Sequence, residues 1–141
     1  MSLGNIIGIA GTAINAQMTR LNTTASNLAN AGTVAGKEEE VFRAKRPVFK
    51  ALVDQETTNA AAPYVGGVKV DKIVEDPAPA RLVYQPGNPQ ANKDGYVYQS
   101  NVSEVGEMVE MMAAARSYQN NVEVINTARQ LMMRTLDITK A

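Results

Sequence analysis

The sequence predicts a mainly α protein with a small β module: long N- and C-terminal helices pair as a coiled-coil-like unit, and an irregular β region lies between them. Three observations lead there. Ile7, Ile14, Leu21 and Leu28 recur every seven residues, and Gly11, Met18 and Ala25 fall four residues after the first three. That alternating 4-3 step is the seam of a coiled coil. From about residue 101 the pattern returns, as Met108, Met111, Ala115, Tyr118, Val122, Ile125, Arg129, Met132 and Leu136 advance by three and four. Between the two stretches, short alternating runs are broken by Gly, Pro and Asn, the punctuation of strands and turns. The division that follows is residues 1–33 for the first helix, 34–100 for an extended connector and β module, and 101–141 for the second helix.

Residues 1–36 contain a single charged side chain, Arg20. A solvated surface helix normally carries a charged face. Here the face opposite the seam is Thr, Asn, Ser and Gln. Gly4, Gly8 and Gly11 each cost about 1 kcal/mol against Ala in a helix interior. The pattern says helix and the propensity says a weak one, so the segment is expected to order only when packed. A neutral polar face is cheaper to desolvate than a charged one, which suits burial on several sides. Asn30 and Gly32 suit a left-handed C-terminal cap.

In the middle, residues 37–40 are a charged run expected in a solvated loop. Residues 41–53 fit a strand interrupted at Pro47. Residues 54–63 show no period and read as a loop. Gly66-Gly67 marks a turn, residues 68–74 a strand and residues 81–84 a short one. Tyr84 to Pro89 and Asn92-Lys93-Asp94-Gly95 are turn clusters, the second followed by the alternating Tyr96-Val97-Tyr98.

The C-terminal segment has good helix formers and, after Gly106, neither Gly nor Pro. A helix over residues 102–138 would be roughly 55 Å long, against about 40 Å for the first seam. Its apolar stripe cannot all be covered by the first helix and a small β module, so it needs neighbours from outside the chain. Methionine is prominent on it (Met108, Met111, Met112, Met132, Met133), a side chain that adapts either to core gaps or to several non-identical neighbours.

Composition narrows the function. Formal net charge is zero, so nothing favours nucleic acid or an anionic membrane. Cysteine and histidine are absent, which removes disulfides, thiolate chemistry and the commonest general base. No run reaches the roughly 18 apolar residues of a membrane span. No nucleotide, serine-hydrolase or zinc motif occurs. Neither an enzyme nor a cofactor is expected. No basic residue precedes the apolar run near the N-terminus, so export, where it occurs, is expected without a cleaved signal.

The motif Thr24-Ala25-Ser26-Asn27-Leu28-Ala29-Asn30, with Thr33 beyond it, resembles the N-terminal signature of flagellar rod, hook and related axial proteins. Val34-Ala35-Gly36, Glu38-Glu39, Phe42-Arg43-Ala44 and Arg46-Pro47-Val48-Phe49 resemble the proximal-rod branch of the flagellar basal-body rod proteins. In most of the wider family an aromatic residue directly follows the Gly of the turn. Here Lys37 to Val41 intervene before Phe42, a departure that itself resembles this branch. Residues 87–98, 107–112, 116–119 and 121–128 are similar to it as well, so the resemblance covers nearly the whole chain outside 54–63. It implies a structural subunit that co-assembles helically with other rod proteins and copies of itself. It also implies passage through the flagellar export apparatus, a place in the periplasm-spanning rod, and transmission of torque. Subunit packing is expected through Ile7, Ile14, Met18, Leu21, Ala25, Asn27, Leu28 and Asn30 on the first helix. On the second it is expected through Met108, Met111, Ala115, Tyr118, Val122, Ile125, Met132 and Leu136. Composition and pattern alone leave open a helical adaptor or secreted effector that folds on a single partner.

Overall fold

A computed structural model of the chain describes residues 2–52 and 66–140; the loop expected at residues 54–63 lies outside the described residues. Helix α1 runs Leu3–Ala29 and helix α2 runs Glu104–Lys140. Each begins where a serine can cap it. The Ser2 hydroxyl accepts from the Asn5 amide at 3.2 Å, and the Ser103 hydroxyl accepts from the Gly106 amide at 3.3 Å. Glu104 and Glu107 lie in the first turn of α2, where carboxylates complement the helix dipole.

Five strands lie between the helices: β1 (Val34–Ala35), β2 (Lys45–Leu52), β3 (Gly67–Glu75), β4 (Arg81–Tyr84) and β5 (Tyr96–Gln99). β1, β5 and β4 form an antiparallel sheet in that order, with Val34 opposite Gln99 and Leu82 opposite Tyr98. β2 and β3 form a separate two-stranded sheet. β2 continues through Pro47, where the sequence predicts an interruption. In a two-stranded sheet each strand keeps a free edge, so the missing N–H is tolerated. The Asn92–Gly95 turn forms as expected. The Asn92 carboxamide accepts from the amides of Asp94 and Tyr96, and Gly95 sits at φ +81°. Tyr84 and Tyr96, cross-strand partners, pack with their rings tilted 59° and centroids 5.2 Å apart.

The chain forms two compact units, and both helices and the β2–β3 pair run through each. One comprises Met1–Thr19, Val48–Lys72 and Ala113–Ala141. Here the Thr12 hydroxyl on α1 accepts from the Val68 amide of β3 at 3.1 Å, and Ile6, Ile9 and Ala10 line a recess with Asn121 and Val124 of α2. The other unit comprises Arg20–Pro47 and Ile73–Met112. Its core is Ala31, Ala44 and Val102 with Phe42 against them. In this unit α1 and α2 are antiparallel: Arg20 meets Glu110, and Asn27, further along α1, meets Glu107, further back on α2.

Among the described residues, every fully buried apolar side chain is an alanine or a valine. The larger Leu, Ile, Met and Phe side chains are half-buried or exposed. A chain with so small a core of its own has little apolar burial to set against the entropy of ordering two long helices.

Candidate assembly surface and the polar cluster behind it

Asn27 lies in the last turns of α1 and is buried. Its carboxamide nitrogen donates to the Lys45 carbonyl at 2.9 Å and to Glu107 Oε2 at 3.0 Å, while its oxygen accepts from the Lys45 amide at 2.8 Å. One side chain thus ties α1 to the start of β2 and to the start of α2. Glu107 is fully buried. Its second oxygen lies 2.7 Å from Arg46 Nη1, a close ion pair whose N–H is not aligned for a hydrogen bond. Arg46 is about half exposed and also lies 3.9 Å from Asp76. One turn along α2, Glu110 pairs with Arg20. The one charged side chain of the first 36 residues is therefore held within the chain.

Asn101 makes a comparable tie at the residue before β2. Its oxygen accepts from the Ala44 amide at 2.8 Å, and its nitrogen donates to the carbonyls of Asp76 and Ala78 at 3.2 and 2.9 Å. The Asp76 amide donates to the Ala44 carbonyl at 2.7 Å. Residues 44–46 are clamped from both helices' ends.

Around Glu107 the first turns of α2 are inside out. The glutamate is buried, whereas Val105 (73% exposed), Met108 (51%), Val109 (60%) and Met112 (71%) face away from the unit. The buried and half-buried positions of the unit's α2 are Glu107, Glu110 and Met111, and of these Glu110 meets Arg20 and Glu107 meets Asn27 on α1. In the other unit the inward positions of α2 are Ala114, Tyr118, Asn121, Ile125, Ala128 and Met132. There Val124, Leu131, Met133, Leu136 and Ile138 are exposed. Such a stripe of uncovered valine, leucine and methionine is uncommon on a self-sufficient surface.

The residues expected to pack divide accordingly. Met111, Tyr118, Ile125 and Met132 occupy inward positions and are half-buried, as are Ala115 and Val122 beside them. Met108 and Leu136 are exposed. On α1, Ile7, Ile14, Leu21 and Leu28 are half-buried, Met18 and Ala25 exposed, Asn27 buried and Asn30 half-buried.

The end of α1 differs from expectation. Among the described residues no non-glycine residue has positive φ, and neither does Gly32, so there is no left-handed cap at Asn30 or Gly32. Instead the helix tightens through bonds from Ala31 to the Leu28 carbonyl and from Thr33 to the Asn30 carbonyl. Asn30 turns its carboxamide back to the Ser26 carbonyl at 2.8 Å. The charged run departs from the solvated loop in one residue. Glu38 is half-buried, pairs with Arg43 and accepts from the Ala80 amide at 3.4 Å. Asn101, Glu107 and Glu110 escape a reading by apolar period, because each is polar and its partner lies far away in sequence.

Two long terminal helices flank a small β module, with apolar residues of α2 turned outward and a polar cluster within, an arrangement suited to being packed by neighbours. No helix among the described residues is long and apolar enough to cross a membrane. Residues 93–138 match the family described as flagellar basal body rod FlgEFG protein C-terminal. The chain is 51% identical over 140 residues to the flagellar basal-body rod protein FlgC of Yersinia enterocolitica, covering 98% of both chains. It is 51% identical over 138 residues to that of Salmonella typhimurium, again covering 98% of both. With the FlgC of Bacillus subtilis it shares 31% over 151 residues, covering 99% of this chain and all of the relative. The chain belongs to the FlgC family of flagellar basal-body rod proteins.

Proposed function

We propose that this chain is a structural subunit of the proximal rod that co-assembles helically with other rod proteins and with copies of itself, and that it transmits torque by packing alone. The observation that carries this is the outward apolar stripe of α2. Val105, Met108, Val109 and Met112 in one unit, and Leu131, Met133, Leu136 and Ile138 in the other, lie open in the single chain. Burying each such side chain contributes about 1.5–3 kcal/mol. Neighbouring rod subunits are the occupants that family membership supports. Residues 1–33 and 101–141 would form the assembling helical layer, and residues 34–100 a module carried beside it. A repeated, non-self-complementary contact of this kind builds an open filament.

The reading extends to delivery. The chain would reach a periplasm-spanning rod through the flagellar export apparatus with its N-terminal residues retained, and the intact mass of the chain taken from purified basal bodies checks this. Sedimentation of the purified chain mixed with other rod proteins tests the central reading. Concentration-dependent growth of large co-assemblies is expected. A defined one-to-one complex that never grows would instead favour the adaptor, which family membership does not support.

A further inference from the structure

The apolar seam of α2 in the sequence is Met108, Met111 and Ala115, yet the stripe turned inward is Glu107, Met111 and Ala114. The two stripes share Met111 and differ by a rotation of roughly 65° about the helix axis, at 3.6 residues per turn. On apolar content alone the first should win, since it would bury a methionine where a glutamate is now buried. What stands against it is the polar cluster. Glu107 is held by the Asn27 carboxamide at 3.0 Å and by Arg46 at 2.7 Å, and Asn27 is itself fixed by two bonds to Lys45.

We propose that Glu107 is a rotational pin. It holds α2 in the setting that keeps Met108 outward and Ala114 inward, and so denies the chain the more apolar pairing it could make with itself. Resting on the rod-subunit reading, this makes Glu107 a positioning residue for assembly: it decides which face of α2 neighbours meet. A polar residue at a helix interface that fixes the setting rather than maximising stability is a known use of buried polar groups. Removing this one strands little. Arg46 is already about half exposed and keeps Asp76 nearby, and the Asn27 nitrogen keeps the Lys45 carbonyl.

The test uses the full chain, which has no cysteine of its own. Met108→Cys and Ala114→Cys are made separately, and each is labelled with a maleimide as the isolated chain. With Glu107 in place, Cys at 108 should react about tenfold faster than Cys at 114, as expected for exposed against protected sites. In Glu107→Met the ratio should fall to near one or invert, the thermal midpoint should not drop, and entry into basal bodies should be lost. Glu107→Gln, which keeps an oxygen for Asn27, should retain most of the ratio. An unchanged ratio in Glu107→Met overturns the pin. So does a lowered midpoint with both sites reacting faster together, because that is the behaviour of an ordinary stabilising contact. The labelling needs no partner, so its failure is distinct from failure of the rod reading.

Discussion

Asn27 and Asn30 sit one turn apart in the same motif and look alike in sequence, yet their carboxamides do different things. Asn27 makes three hydrogen bonds to residues 18 and 80 positions away, at Lys45 and Glu107. Asn30, just past the end of α1, makes one, to the carbonyl of Ser26 four residues back. Replacing Asn27 by Ala leaves backbone groups of Lys45 without a partner in a partly buried place and should cost about 2–3 kcal/mol. Asn30→Ala should cost about 0.5–1 kcal/mol, the worth of one local bond. Urea unfolding of the two single variants checks the difference, and equal losses would contradict the assignment. The motif showed that these asparagines sit where α1 ends. Which one reaches across the fold was not legible, because that depends on where Lys45 and Glu107 arrive in space.

At the scale of elements, the β module approaches α1 through a glycine. Gly67 adopts φ +133°, and a Cβ there would lie 2.7 Å from the Thr12 hydroxyl, the group that accepts from Val68. Gly67→Ala combines a strained backbone with displacement of that hydrogen bond and should destabilise by about 2–3 kcal/mol. Thermal unfolding would show it, and a variant as stable as the parent would mean that β3 does not need this approach. The Gly66-Gly67 pair reads in sequence as a turn; both glycines have positive φ, and Gly67 opens β3. The longer strands and both helices were legible too, since period and turn residues are local signals. The rotational setting of α2 was not. A 4-3 count selects the most apolar stripe, and it cannot see a glutamate whose burial depends on Asn27 and Arg46. The two-residue β1 was missed for a related reason, since Val34 and Ala35 become a strand only by pairing with Gln99 and Tyr98.

Across the whole chain, small residues lie inside and larger apolar ones stay outward, free for neighbours to cover. One consequence concerns order in isolation. α1 has glycines in its interior and a buried set consisting of small residues and Asn27, so it should open more readily than α2. Amide exchange on the dilute chain should give weaker protection over residues 6–28 than over residues 107–128, and protection over 6–28 equal to or stronger than that would go against it.

If neighbouring rod subunits cover the outward face of α2, Met112→Glu should fold normally and fail to assemble. Met112 is 71% exposed, so the isolated variant should melt within about 2 °C of the parent, as surface changes of small free-energy effect do. In the rod the same carboxylate would be buried without a partner. Its amount in purified basal bodies, measured by quantitative mass spectrometry in cells that express it normally, should fall below about a tenth of the parent's, an order of magnitude that corresponds to roughly 1.4 kcal/mol per contact. Incorporation at the parent's level would contradict the claim.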